Sequence, residues 1–189
     1  MFYLIRPSPS TIARFLKTSQ DLPLSYGPIG ILETTARHVD DQTVTIGRGR
    51  IDFERATREL RSWTHFAFGW VELFPRDAAI EPGTVVAVLI RHLGFWSLNG
   101  CRVLYHVADD TRFGFAYGTL PNHAEAGEEL FVVAFDPVTE AVTYRIRAVS
   151  WPYAFLAYLG QPIVRYLQAR FRRDSAAVMA RAIGSRAVS

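Results

Sequence analysis

The side chains best suited to chemistry concentrate between Phe113 and Phe131. Phe113, Phe115 and Tyr117 recur at a period of two, so their rings share one face of a strand, while Gly114, Ala116 and Gly118 keep the opposite face thin. The polar loop that follows carries His123-x-Glu125, an imidazole and a carboxylate of the kind that moves protons. Tyr105, Tyr117 and Tyr144 place phenols on strand-like segments, and Arg91, His92, Asn99 and Arg102 fall near strand ends. Aromatic walls with a few polar groups are the ordinary composition of a small-molecule site. Arg91, His92, Asn99, Arg102, Tyr105, Tyr117, His123, Glu125 and Tyr144 are therefore the candidate ligand-binding set. The competing reading makes the tyrosines core residues whose hydroxyls find backbone partners, and the arginines surface or ion-pair residues. A buried arginine would favour a ligand carboxylate or phosphate. No catalytic residue is assigned.

Other motifs fail on physical grounds. Gly47-Arg48-Gly49-Arg50-Ile51-Asp52 lies between a strand and a helix, but Asp52 stands where a dinucleotide fingerprint needs its third glycine, and a carboxylate there repels a pyrophosphate. Asp52 reads instead as a helix cap. Ser97 lacks the Gly-x-Ser-x-Gly spacing of a nucleophile elbow and reads as a turn serine. His123-x-Glu125 is not followed by Pro-Cys-x-x-Cys, and the histidines His38, His65, His92, His106 and His123 include no pair at helical ligand spacing. No metal and no cofactor are expected. Cys101, the single cysteine, reads as a buried inert thiol.

These residues need elements to hold them. Ser8 and Pro9 start a helix with Ile12, Phe15 and Leu16 on one face, stopped at Asp21-Leu22-Pro23. Residues 42–48 suit a first strand. A second helix follows Asp52, with Phe53, Ala56, Leu60 and Trp63 on its inner face and Glu54/Arg58 and Arg55/Glu59 as i, i+4 ion pairs outside. Strands are then expected over 70–74, 83–91, 102–108, 112–118, 128–135 and 142–149, joined through turn pairs such as Asp109-Asp110 and Asp136-Pro137, which makes an antiparallel meander. Ser150 and Pro152 open a short element that Gly160 stops, and Pro162 opens a long last helix with the stripe Ile163, Leu167, Phe171, Val178 and Ala182.

The chain of 189 residues suits one domain, with 1–41 as N-terminal helix and connector and 42–189 as the core. A hydrophobic fraction of 49% with 21% charged residues excludes a disordered chain. The net charge of +3 is spread over scattered arginines, with Lys17 the only lysine, so no nucleic-acid partner is indicated. Apolar runs such as Val85 to Ile90 are too short for a membrane span, and the absence of a signal segment and of paired cysteines fits the cytoplasm. Oligomeric state is left open.

The resulting order, helices and then a bent antiparallel sheet closed by a long helix, is an α+β arrangement. It resembles the helix-grip fold of the START and birch-pollen-allergen-like superfamily, in which the space between sheet and helix often holds an apolar ligand. More specifically, Tyr26-Gly27-Pro28, Gly47-x-Gly49, Gly69-Trp70-Val71-Glu72, Asn99-x-x-Arg102-Val103-x-Tyr105, the Phe113 to Phe131 segment and Arg173-Asp174-Ser175 are similar to the domain of unknown function 1990 family. The resemblance implies a helix-grip-like fold rather than an activity. The expected function is a binding protein for a small apolar or lipid-like ligand. The alternatives are an acid/base enzyme of cyclase, hydrolase or isomerase type using His123, Glu125 or Tyr117, and an interaction or membrane-surface module using the arginines of the last helix.

Overall fold

A computed structural model describes residues 1–33, 39–152 and 161–184. Helix α1 (Pro9–Ser19) starts as its sequence requires, with Ser8 Oγ accepting from the Thr11 amide at 3.2 Å and Pro9 in the first turn, where a missing N–H costs nothing. Strand β2 (Val39–Arg48) leads directly into α2 (Gly49–Arg61). Asp52 is not the cap residue. Arg48 occupies that position, and Asp52 reaches back from inside the first turn to accept from the Arg48 amide at 2.8 Å. The expected Arg55/Glu59 pair is replaced by other bonds. Arg55 donates to the Ile183 carbonyl at 2.5 Å, and Glu59 accepts from the Thr64 hydroxyl at 2.7 Å.

The meander follows as β3 (Val71–Phe74), β4 (Val85–His92), β5 (Phe95–Ala108), β6 (Arg112–Thr119), β7 (Glu125–Phe135) and β8 (Ala141–Pro152). The spatial order is β2-β8-β7-β6-β5-β4-β3, every pairing antiparallel, and the short β1 (Phe2–Tyr3) adds to β5. Strand β5 begins seven residues before its expected start at Arg102. Ser97 reads as a turn residue, yet the turn is only Leu93-Gly94, both at positive φ, the two-residue hairpin geometry that matches strand twist. Ser150 and Pro152 likewise do not open a helix but end β8, and the rest of the element expected before Gly160 lies outside the described residues.

The sheet buries both faces. On the convex side α1 packs Ile12 and Phe15 on Ala87, Leu89 and Leu98, and Leu32 sits on Ala116 and Val149. The concave side carries Val86, Val88, Cys101, Phe115, Phe131, Val133, Tyr144 and Ile146, covered by α2 and by α3 (Gln161–Gly184). The buried face of α3 departs from the expected stripe. Ile163 is exposed, Leu167 and Phe171 are partly buried, and below them Ser175, Ala176, Val178, Met179 and Ile183 close the core. At its centre His65 stands among the rings of Trp63, Phe66, Phe115 and Phe131, with neither ring nitrogen hydrogen-bonded among the described residues. Burial pushes its pKa down to about 3, so it is a neutral ring in the packing. No described helix is long and apolar enough to cross a membrane.

Gly127 sets the closest approach in the sheet. A Cβ there would meet the Val149 carbonyl oxygen and lie 2.8 Å from Ser150 Cα, both backbone atoms that cannot swing away. Gly127→Ala is expected to destabilise by about 1–3 kcal/mol in chemical unfolding. Gly69→Ala, with open space at the corresponding point, should stay within about 0.5 kcal/mol of the parent. Equal effects at the two glycines would refute this account of β7–β8 packing.

Candidate functional site

Strand register builds the site. Tyr117 on β6 pairs with Glu129 on β7, Glu129 with Ala148 on β8, and Ala148 with Asp40 on β2, so these four form one row across the concave face. Directly opposed residues have Cβ atoms about 4.5–5.5 Å apart. The Tyr117 hydroxyl donates to Glu129 Oε2 at 2.6 Å, and Arg172 descends from α3 to pair with Asp40 at 3.1 Å. Glu129 is pushed up to about 7, first by removal from water and also by the nearby Glu125 and Asp40 charges, against the opposing pull of the Tyr117 hydroxyl and Arg172.

A second polar group lies toward the β4–β5 turn. Asn99 Nδ2 donates to Ser97 Oγ at 3.1 Å and to the Val88 carbonyl at 3.3 Å, Asn99 Oδ1 accepts from the Ala124 amide at 3.4 Å, and His92 Nε2 lies 3.3 Å from Ser97 Oγ. Ser97 is thus a buried strand residue rather than a turn serine. His123 Nδ1 lies 2.9 Å from the Glu125 amide nitrogen and 3.0 Å from the Glu125 carbonyl oxygen, accepting from the first or donating to the second according to its tautomer. Burial lowers His123 to about 4. The Glu125 carboxylate accepts from Gln168 Nε2 at 2.8 Å and from Ser150 Oγ at 3.2 Å, yet burial still raises its pKa.

Between these groups and α3 lies a cavity of about 480 Å³. Phe66, Val88, Ile90, Leu167 and Phe171 are among the apolar residues of its wall, and Phe66, Tyr117, Phe131 and Phe171 form a connected ring cluster beside it. Phe2, Leu93, Phe95 and Ile163 also line it while remaining exposed.

Of the sequence-derived set, His92, Asn99, Tyr117, His123 and Glu125 border this cavity. Arg91 is exposed with its guanidinium 5.8 Å from the Trp96 ring centre. Arg102 donates to the Gln20 carbonyl at 2.7 Å, and Tyr105 packs with Leu32, Ala116 and Val149, so both stand on the convex side. Tyr144 faces inward but lies beneath the closed half of α3, bonded to Ser175 Oγ at 2.9 Å. No arginine from the set reaches the cavity, and Arg172, which does, is already paired. Sequence reasoning missed Glu129, Asp40, Gln168 and Arg172. For Glu129 a signal existed, since it shares strand parity with the inward Phe131 and Val133.

The other arrangements weighed for this chain find less support in its contacts. His123 and Glu125 border the same cavity but their side chains bond elsewhere, His123 to backbone and Glu125 to Ser150 and Gln168. On α3, Arg170 and Arg173 pair with Asp174 and Arg172 with Asp40, while Arg165 and Arg181 are exposed. No group of three or more His, Cys, Asp or Glu that could hold a metal occurs among the described residues. Cys101 is buried, with its thiol pKa raised by burial.

A family profile described as "Domain of unknown function (DUF1990)" matches residues 26–178, which includes every strand that contributes to the row. The chain belongs to the DUF1990 family. It is 31% identical to a UPF0548 protein of Dictyostelium discoideum, over 98% of this chain and 97% of the relative. Among solved structures it is similar to a hypothetical protein from Helicobacter pylori, with a TM-score of 0.58 at 11% identity over 82% of this chain and 93% of the other. It is also similar to the di-domain ARO/CYC BexL, with a TM-score of 0.52 at 16% identity over 82% of this chain and 53% of that one. At those identities the likeness is one of fold, and the fold of this DUF1990 protein is helix-grip-like, a curved antiparallel sheet closed by a C-terminal helix.

The two kinds of buried acid and base in this DUF1990 protein act oppositely on stability. Glu129 is raised from 4.5 to about 7 on folding, so the folded state holds an extra proton between those values and stability falls as pH rises through them. His123 and His65 are lowered from 6.5 to about 4 and about 3, so their contribution is complete above 6.5 and is lost as pH falls below it. Glu129→Gln removes only the first effect. The unfolding free energy of the parent minus that of the variant, from urea titrations, should decrease between about pH 5 and about pH 7.5. A flat difference would show that Glu129 is not held protonated by the fold.

Proposed function

We propose that this protein binds a small, largely apolar molecule between the concave face of the sheet and the N-terminal half of α3, with the polar end of that molecule at the Tyr117-Glu129 row. The observation that carries the reading is the cavity itself. Its volume of about 480 Å³ lies within the roughly 300–1,000 Å³ usual for small-molecule sites, and its walls are mostly side-chain carbon with a few convergent polar groups. Solid cores hold few voids larger than a water molecule, so a space of this size under a covering helix is a feature that packing alone does not call for. The exposed apolar residues at Phe2, Leu93, Phe95 and Ile163 give an apolar solute a path into it.

Ala148 supplies the test, because it borders the cavity from the centre of the row and a larger side chain there grows into empty space rather than into the core. The parent is expected to enhance the fluorescence of an apolar dye and to release an organic-extractable molecule when purified. Ala148→Phe should weaken dye binding at least about tenfold while its thermal midpoint stays at or above that of the parent. Dye binding unchanged by Ala148→Phe would place the dye elsewhere and remove this reading.

A further inference from the structure

The charge pattern of the cavity points to the chemistry of the molecule's polar end, an inference that rests on the binding role proposed above. Four acidic residues line the cavity, Asp40, Glu125, Glu128 and Glu129, against one guanidinium, Arg172, and the Glu128 carboxylate is held away from it by the Tyr26 hydroxyl and the Gly30 amide. Arg172 is committed to Asp40 at 3.1 Å, and Glu125 is held by two neutral donors, Ser150 and Gln168. Glu129 has Tyr117 as its hydrogen-bond partner, through Oε2 alone, and its Oε1 is not hydrogen-bonded among the described residues. A lone carboxylate in a mostly apolar space is costly unless a cation or donor accompanies it.

The register adds the space for such a group. Between Glu129 and Asp40 in the row stands Ala148, the smallest side chain of the four, so the floor is open between two carboxylates that lie two strand spacings, about 9–10 Å, apart. Phe66 and Phe171 line the same cavity with ring centroids 5.2 Å apart, and the Phe66 ring lies 6.3 Å from that of Tyr117, the partner of Glu129. A carboxylate beside aromatic faces is a setting that attracts a positively charged nitrogen through both ion pairing and the ring quadrupole. A ligand carboxylate or phosphate would meet the opposite, since the one cation within reach is already neutralised.

We propose that the preferred ligand is a lipophilic amine, whose hydrocarbon body fills the apolar cavity and whose ammonium group sits against Glu129 Oε1 over Ala148. The groups facing Glu129 are Tyr117 from β6, Glu125 from its own strand, Asp40 from β2 and Arg172 from α3, with Cys101 and Tyr144 further off on β5 and β8. None of them supplies an uncommitted positive charge, so an incoming ammonium is the partner that lets Glu129 ionise.

The experiment compares decylamine, decanol and decanoate, three probes with the same chain and different head groups, by calorimetric titration of the full chain. Decylamine is expected to bind at least about tenfold more tightly than decanol, and decanoate more weakly than either. The affinity for decylamine should rise between about pH 6 and about pH 8 as Glu129 gives up its proton, while that for decanol stays level. Glu129→Gln should bring decylamine to within about twofold of decanol and abolish the pH dependence. Equal binding of amine and alcohol in the parent, or tighter binding of decanoate, overturns the amine assignment while leaving an apolar binding site in place. That ranking needs no variant, so it decides the matter even if Glu129→Gln is unstable. Failure of all three probes to bind removes the binding role itself and this inference with it.

Discussion

One turn of α3 is fastened to both ends of the sheet, and the space above the sheet follows from it. Asp174 accepts from Trp70 Nε1 at 2.9 Å just before β3, Ser175 bonds the Tyr144 hydroxyl at 2.9 Å on β8, and Arg172 pairs with Asp40 at 3.1 Å on β2. A helix is stiff over a few turns, so fixing one turn fixes the height of the rest. Beyond the anchor toward Gly184 the facing residues Ala176, Met179 and Ile183 seat the helix directly on the core. Toward Gln161 the corresponding positions are Phe171 and Leu167, which pack against the core only in part and line the cavity. The cavity is the wedge between a helix pinned at its middle and a sheet that curves away.

The same wedge explains the electrostatics. Tyr117, Glu125 and Glu129 lie where the sheet faces carbon rather than water, and each titrates above its ordinary range because the charged form loses hydration there. His123 shifts downward for the same cause, since for an imidazole the charged form is the protonated one. One environment therefore raises the acids and lowers the base, in each case by disfavouring the charged form.

Much of this architecture was legible in the residues. Period-two alternation in Phe113, Phe115 and Tyr117 and in Val142, Tyr144 and Ile146 identifies strands and their inner faces, and Asp109-Asp110 and Asp136-Pro137 mark real hairpins. What was hidden had physical reasons. The first half of β5 is written in turn-forming residues, because Ser97 and Asn99 satisfy each other and the Val88 carbonyl inside the sheet. Tyr105 faces outward because the register shifts between Val103 and Tyr105, an irregularity that spacing along one strand does not reveal. Arg172 and Asp40 meet across more than a hundred residues, and only the placement of α3 brings them together.

Gly127 answers to two demands that point the same way. Its missing side chain lets β8 close against β7, and it also borders the cavity. A smaller cavity therefore could not be reached by enlarging this residue, since the strand pairing would part before the volume shrank. Any such change would have to work through Ala148 or the helix-borne Leu167 instead, so variation of the cavity is channelled to a few positions where bulk can change without unseating the sheet.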